Sequence, residues 1–242
     1  MTAGAAERTA PPAVHAPAPA PRRRPLWIPL LEGGGLVAFA LLAGGAVARI
    51  VRALEVGDLP LVASALFAGL LAADFVSGVG HWLFDRCLSE TTPLLGPLAV
   101  RAFREHHADP QALLSHGFVE LNGETALAML PLLGVAAALP DPGSGRAAAF
   151  VHVALVSMAA LLVATNSLHR LAHARRAPRL AARLQRVGLL LSPVHHARHH
   201  AAAHDRAYCI TVGWWNPLLD RVGFFAALER ALARLGLPPG AA

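Results

Sequence analysis

Four long apolar runs divide the chain, at about 33–51, 59–83, 124–140 and 147–168. A helix needs roughly 20 mostly apolar residues to cross a bilayer, and each run approaches or exceeds that length. The third run is the shortest and contains Pro131, which we expect to kink its helix. Because the runs are apolar on all faces, they favour membrane-spanning helices over the core of a large soluble helical protein.

These runs predict an all-α integral membrane protein with about four transmembrane helices. Cytoplasmic or interfacial helices that carry histidines are expected between and after them. Residues 1–25 are rich in Ala, Pro and Arg, and we predict that they form a disordered tail. The membrane domain is predicted over 26–230, and a C-terminal tail over 231–242.

The composition agrees with a membrane protein. Apolar residues make up 55% of the chain and charged residues 15%, and the mean hydropathy is +0.48. Soluble domains average about 45–50% apolar and about 25% charged residues. These values exclude disorder throughout the chain. The two cysteines, Cys87 and Cys209, are too few for a disulfide framework or a zinc ribbon, and we expect reduced thiols.

All 21 basic residues are arginine, and their placement predicts an orientation. If the N-terminus lies inside, the loops on the outer side of the membrane hold only Arg49, Arg52 and Arg146. The other 18 arginines lie on the inner side. Arginine gathers on the cytoplasmic side of membrane proteins. A chain rich in Ala and Leu without lysine is typical of a GC-rich bacterial genome, so we expect the bacterial inner membrane. The net charge of +6 then faces anionic lipid, and no nucleic-acid partner is expected.

Thirteen histidines are the most informative residues, because eleven of them fall on the predicted cytoplasmic side. His15 lies in the N-terminal tail and His152 near the opposite end of the fourth run. Residues four apart share one face of a helix, the spacing of helical metal ligands. Four pairs have this spacing: His81 with Asp85, His169 with His173, His195 with His199, and His196 with His200.

One such pair is a weak signal, but four pairs on one membrane face predict a metal centre. Adjacent residues point about 100° apart on a helix, so HHARHH at 195–200 suits two neighbouring metals. The number of ligands exceeds the need of one tetrahedral zinc, and imidazole with carboxylate suits iron. The roles of His116 and His204 stay open between ligand, supporting group and polar surface. Candidates to fix the imidazole tautomers are Asp74, Glu105, Glu120 and Asn166.

Several stretches resemble the plasmanylethanolamine desaturase family, which shares its domain with the plant chloroplast phosphatidylglycerol desaturase. They are DFVSGVGHW at 74–82, FREHHADP at 103–110, HGFVELNG at 116–123, NSLHRLAH at 166–173, SPVHHARHH at 192–200 and YCITVGWWNPLLD at 208–220. The family often has an acidic residue where this chain has Gly117. The resemblance implies these iron ligands: His81, Asp85, His106, His107, His169, His173, His195, His196, His199 and His200.

The resemblance also implies an activity, the O2-dependent desaturation of a 1-O-alkyl ether phospholipid to a vinyl ether by two iron ions. No nucleotide-binding motif is visible, so electrons are expected from a separate cytoplasmic donor of the cytochrome b5-like, ferredoxin or flavodoxin type. No catalytic residue is expected besides the metal ligands. Trp214 and Trp215 suit either a membrane interface or the wall of an acyl-chain site.

Three alternatives stay open at this point. The same ligands would serve a desaturase of ester-linked acyl chains, or a hydroxylase. A metal transporter would place ligands near the middle of the bilayer, whereas these histidines are predicted at one membrane edge. A non-catalytic metal-binding or scaffold protein would lose metal on ligand substitution without any change in the lipids.

Overall fold

The computed structural model describes residues 24–201 and 204–236, and these residues form helices and loops without a strand. Four helices are long and apolar enough to cross a membrane: α1 (Trp27–Ala53), α2 (Leu59–Arg86), α4 (Phe118–Ala138) and α5 (Arg146–His173). The shorter helices are α3 (Arg101–Ala108), α6 (Arg179–Arg186), α7 (Pro193–His196), α8 (Asn216–Val222) and α9 (Phe224–Arg234). The predicted all-α membrane fold is confirmed.

The helix boundaries differ from the predicted ones in an informative way. Helices α2 and α5 have 28 residues each and run past the predicted ends of their apolar runs, at 83 and 168. Such helices are about 42 Å long, about 12 Å more than the hydrocarbon core of a bilayer. Residues 84–86 of α2 and 169–173 of α5 therefore carry polar side chains, among them Asp85, His169 and His173, past the apolar runs. Helix α4 continues through Pro131. Helix α9 extends to Arg234 and so enters the predicted C-terminal tail over 231–242. The predicted N-terminal tail over 1–25 lies almost wholly outside the described residues.

The four long helices pack as two parallel pairs, α1 with α4 and α2 with α5. Near the starts of α2 and α5, Asp58 and Arg146 form an ion pair of 2.9 Å, so these two helices begin at the same end of the bundle. Short connections join α1 to α2 and α4 to α5 at that same end of the bundle. The other end therefore collects the starts of α1 and α4 and the ends of α2 and α5. Eleven histidines lie at this second end, whereas His152 lies near the first.

Helices α2 and α5 approach each other closely at Gly69. A Cβ atom at this position would lie 2.8 Å from the carbonyl oxygen of Ala154 and would clash with the side chain of Ser157. We expect Gly69→Val to push the two helices apart and to cost about 1–3 kcal/mol of stability, because a well-packed interior does not accept added atoms. Thermal unfolding in detergent measures the effect. Gly44→Val is the matched control, since nothing lies within 4 Å there. Equal melting temperatures for the two variants would contradict this packing.

A loop of residues 206–215, here called the anchor loop, packs against α2 between the membrane helices and α8. Its backbone is held by the carboxylate of Asp74, which accepts hydrogen bonds from the N–H groups of Val212 (2.9 Å), Gly213 (2.8 Å) and Trp215 (3.2 Å). The N–H of Ile210 donates to the Ser77 hydroxyl at 3.1 Å. Irregular backbone is tolerated at membrane depth when its polar groups are satisfied inside the protein, as these four N–H groups are.

Candidate metal centre

Five histidines from four segments form the first group of potential ligands. One ligand atom from each lies within 4.8 Å of all the others. Helix α3 supplies one histidine, the end of α5 two, α7 one, and the turn after α7 one. This five-histidine group consists of His106, His169, His173, His196 and His200.

A second group lies beside the first and contains the only carboxylate of the two sets. Its members are His81, Asp85, His107 and His199, again with ligand atoms within 4.8 Å of one another. The Nε2 atoms of His81 and His199 each lie 3.4 Å from Oδ2 of Asp85, and that of His107 lies at 3.7 Å. We call this set the Asp85 group. Three imidazole nitrogens and a carboxylate thus converge on one point.

Local helix geometry explains why neighbouring residues enter different groups. His106 and His107 are adjacent on α3, about 100° apart, so one side chain enters each group. His199 and His200 divide in the same way just after α7. The two groups therefore adjoin each other. The ring centroids of His196 in one group and His199 in the other lie 5.8 Å apart. This arrangement suits two metal ions side by side.

Unsatisfied buried atoms test whether these residues fit metal ions. Within the part of the chain that the structure describes, Nε2 of His81, both ring nitrogens of His106 and both carboxylate oxygens of Asp85 are buried without a hydrogen-bond partner. Buried polar atoms without partners are rare, because each costs about 1–3 kcal/mol. These atoms belong to the two ligand groups, where a metal ion would be their partner. The residues of both groups therefore fit metal ions.

The distances between ring nitrogens agree with this interpretation. In the five-histidine group, Nε2 of His169 lies 2.7 Å from Nε2 of His196 and 3.1 Å from Nε2 of His173. Imidazole nitrogens that bind one metal at about 2.1 Å lie about 3 Å apart when they are at right angles. Nitrogen lone pairs aimed at each other would otherwise repel.

The anchor loop fixes the tautomers of two histidines in the Asp85 group. Nδ1 of His81 donates to the carbonyl oxygen of Tyr208 at 3.1 Å, and Nδ1 of His199 donates to that of Arg206 at 2.9 Å. A carbonyl oxygen only accepts hydrogen bonds, so Nδ1 carries the proton on both rings. The Nε2 lone pairs then face Asp85 and are free for a metal. Such a second hydrogen bond is the usual partner of a metal-binding imidazole.

Burial and repulsion from neighbouring rings lower the pKa of four imidazoles outside the membrane-spanning segments: His106, His107, His196 and His200. Burial is the largest cause in every case, and the neighbouring rings add to it. Together they lower the pKa of His106 and His107 to about 2 and that of His200 to about 3. The pKa of His196 is also lowered, for the same reasons. At neutral pH these rings are therefore uncharged and can act as metal ligands without first losing a proton.

Nine of the ten predicted ligands come together in the two groups. The exception is His195, which belongs to neither group and lies beside Asn216. Its predicted pairing with His199 on one helical face does not form, because α7 is four residues long and the chain turns at 197–199. His204 lies at the edge of the Asp85 group, where its ring stacks on His107 with centroids 4.3 Å apart. His116 belongs to neither group.

The side chains expected to fix the tautomers have other partners. Asp74 binds the backbone of the anchor loop, and Glu120 pairs with Arg24 at 3.2 Å. Asn166 donates to the carbonyl oxygen of Leu121 at 2.8 Å, and Glu105 is exposed. The tautomers are set instead by the backbone carbonyls of Arg206 and Tyr208. Every residue has a backbone carbonyl, so residue types do not reveal which carbonyls orient the imidazoles. Tyr208 lies in the stretch at 208–220 that carries the family resemblance, whereas Arg206 precedes it.

A cavity of about 220 Å³ opens against the five-histidine group. His173, His196 and His200 line this cavity together with Pro110 and Gln111. The five-histidine group thus has an open side. The histidines of the Asp85 group do not line this cavity.

Comparisons with known proteins agree with this site. The lipid desaturase domain model matches residues 70–240. A plasmanylethanolamine desaturase of Myxococcus xanthus is 41% identical over 202 residues, which cover 84% of this chain and 71% of that protein. Plasmanylethanolamine desaturase 1 of Mus musculus is 34% identical and covers 80% and 73%. The chloroplastic fatty acid desaturase 4 of Arabidopsis thaliana is 33% identical and covers 72% and 52%.

No solved structure matches the chain significantly. The family model begins at residue 70, four residues before Asp74, at which the resemblance in the sequence begins. It includes every residue of both ligand groups. The chain therefore belongs to the lipid desaturase domain family and is a membrane-bound desaturase.

Proposed function

We propose that this protein desaturates the 1-O-alkyl chain of an ether phospholipid, plasmanylethanolamine, to a vinyl ether, and that it uses O2 and two iron ions. The observation that carries the proposal is the pair of adjoining ligand groups at one end of four membrane helices. The names of the bacterial and mouse relatives, both plasmanylethanolamine desaturases, support the choice of substrate.

Iron suits the ligands that the two groups offer. Eight imidazoles and one carboxylate are more than a single ion can use, and imidazole with carboxylate is a common iron environment. Iron would supply the activation of O2 that acid–base side chains cannot provide. We assign His106, His169, His173, His196 and His200 to one ion, and His81, Asp85, His107 and His199 to the other.

The reaction balances with one O2 and two electrons. Two hydrogen atoms leave adjacent carbons of the alkyl chain, a carbon–carbon double bond forms, and O2 takes up these two hydrogens, two electrons and two protons to give two water molecules. The protein's own contribution is to bury the ligands, hold them neutral and keep their Nε2 atoms pointed inward. The cavity against the five-histidine group gives the substrate chain a way to reach the centre.

The electrons come from a separate protein, a cytoplasmic donor of the cytochrome b5-like, ferredoxin or flavodoxin type. We place the ligand groups on the cytoplasmic side of a bacterial inner membrane. Arginine placement supports this orientation, since the C-terminal segment after α5 shares the ligand end of the bundle and holds ten arginines. The phospholipid then presents its headgroup at the same membrane face.

A second candidate function is desaturation of an ester-linked acyl chain. It is favoured by the plant relatives, which are named fatty acid desaturases and are 32–36% identical to this chain over 70–72% of its length. The same ligand groups would serve either chain.

Lipid mass spectrometry with acid treatment tests the proposal. The protein is expressed in cells that lack vinyl ethers and are fed a 1-O-alkylglycerol, with His199→Ala as the inactive control. We expect an acid-labile ether lipid two hydrogens lighter than its precursor, present with the wild type and absent with His199→Ala. A new double bond in ester-linked chains alone would support the second candidate. No change in either lipid pool, with iron and an electron donor present, would contradict both.

A further inference from the structure

His195 is next to the metal ligand His196 in sequence, but its ring points away from both ligand groups. It lines a separate cavity of about 270 Å³, together with Ser192, Gly213 and Trp214. None of the residues that line this cavity belongs to the five-histidine group or the Asp85 group. The side chain of His195 therefore has a different environment from the other histidines of HHARHH.

The Nε2 atom of His195 already has a partner, the side-chain amide of Asn216 at 3.0 Å. The orientation of this amide is fixed by the backbone of Cys209. Oδ1 of Asn216 accepts from the Cys209 N–H at 2.8 Å, and Nδ2 donates to the Cys209 carbonyl at 2.8 Å. The remaining N–H of the amide points to His195, so Nε2 of His195 accepts this hydrogen bond. Its lone pair is used.

This hydrogen bond joins two parts of the site. On one side is α7, which carries His196 and leads to His199 and His200. On the other side is Asn216, the first residue of α8, whose amide binds Cys209 of the anchor loop. The carbonyls of this loop orient the rings of His81 and His199. The N-terminal start of α7 is fixed by Ser192, whose hydroxyl accepts from the N–H of His195 at 3.1 Å. His195 thus lies where the ligand-bearing turn meets the loop that orients the ligands.

We propose that His195 is a positioning residue rather than a metal ligand: as a hydrogen-bond acceptor for Asn216, it holds the α7 turn against the anchor loop. The ten-ligand set implied by the family resemblance then reduces to nine. This inference concerns the metal centre of the proposed function. Its test uses metal content, which is measured without substrate.

The test compares His195→Gln with His196→Gln. A glutamine side chain places an amide oxygen close to the position of a histidine Nε2, so it still accepts a hydrogen bond from Asn216, but it is a poor ligand for iron. We expect purified His195→Gln to keep the wild-type iron content per chain and to turn over within about twofold of the wild type. His196→Gln should lose iron from the five-histidine group. His195→Leu should keep folding but slow turnover by about 10- to 100-fold, as when other residues that orient metal ligands are removed.

A double variant tests whether His195 and Asn216 act through the same hydrogen bond. Asn216→Asp keeps the acceptor for the Cys209 N–H but removes the N–H donors to His195 and to the Cys209 carbonyl, so this single variant is measured as well. If the two side chains act through their shared hydrogen bond, the loss of turnover in His195→Leu with Asn216→Asp is smaller than the product of the two single losses.

Three outcomes would overturn the proposal: His195→Gln loses iron as His196→Gln does, His195→Leu turns over like the wild type, or the two substitutions multiply in the double variant. If the wild type itself binds no iron under conditions that load a known di-iron enzyme, the proposed function fails rather than the role of His195. The melting temperature of each variant in detergent shows whether it is folded when its iron is counted.

Discussion

Asp85→Ala is expected to abolish desaturation, with a loss of at least about 100-fold, and to remove one of two iron ions. Asp85 is the only carboxylate in the two ligand groups, and three imidazole nitrogens lie within 3.4–3.7 Å of its Oδ2. A metal ion contributes several kcal/mol of transition-state stabilisation, and each 1.36 kcal/mol is tenfold in rate. Iron per chain and product formed from a fed 1-O-alkylglycerol are the two measurements.

The matched control is His152→Gln. Like Asp85, His152 is a buried polar residue of a membrane helix. Its Nε2 binds the carbonyl oxygen of Pro140 at 2.9 Å, at the opposite end of the bundle from the ligand groups. Glutamine keeps a donor for that carbonyl. We expect wild-type iron content and activity in this variant. If Asp85→Ala keeps full iron and activity, or if His152→Gln loses as much as Asp85→Ala, the assignment of Asp85 is wrong.

Asp74→Ala should have the second large effect, although Asp74 is not a ligand. Its carboxylate accepts three backbone hydrogen bonds from the anchor loop, and the side chain is fully buried. Hydrogen bonds to a charged group are worth about 1.5–3 kcal/mol each, and buried N–H groups left without partners add to the loss. We expect a destabilisation of at least about 3 kcal/mol, seen as a large fall in the melting temperature in detergent, together with loss of iron from the Asp85 group.

Asp74→Asn separates the contributions of the two carboxylate oxygens. An amide keeps one acceptor oxygen for Val212 and Gly213 but places an N–H group toward Trp215. Its melting temperature should fall between those of the wild type and Asp74→Ala. Asp58→Ala is the control, because Asp58 pairs with the exposed Arg146 at the other end of the bundle, where an ion pair contributes little. The role of the loop would be contradicted by an Asp74→Ala protein as stable as Asp58→Ala.

The sequence predicts much of the site because two of its elements are long, regular helices. On α2 and α5 the spacing of four residues alone places His81 with Asp85 and His169 with His173. The 100° step of a helix, from which HHARHH suggests two neighbouring metals, also explains why His106 and His107 enter different ligand groups. Hydropathy likewise finds the four spanning helices, since the bilayer sets their minimum length.

The parts that could not be predicted depend on irregular backbone. The spacing of four predicts His195 with His199, but α7 ends at His196 and the following turn sends His199 to the Asp85 group. An acid within an apolar run indicates that Asp74 is important without indicating its partner, which turned out to be three backbone N–H groups. The anchor loop has no periodic pattern, so neither its depth beside α2 nor its carbonyl bonds to two imidazoles can be deduced from residue types.

Iron stoichiometry tests the central claim most directly. The purified wild-type protein is loaded anaerobically with Fe²⁺, freed of unbound metal, and measured for iron per chain beside Asp85→Ala and His106→Ala. Two ligand groups predict about two ions for the wild type and about one for each variant, since the variants alter different groups. A wild type that binds one ion or none, or a loss of both ions in one variant and of neither in the other, would contradict a centre built from two adjoining metal sites.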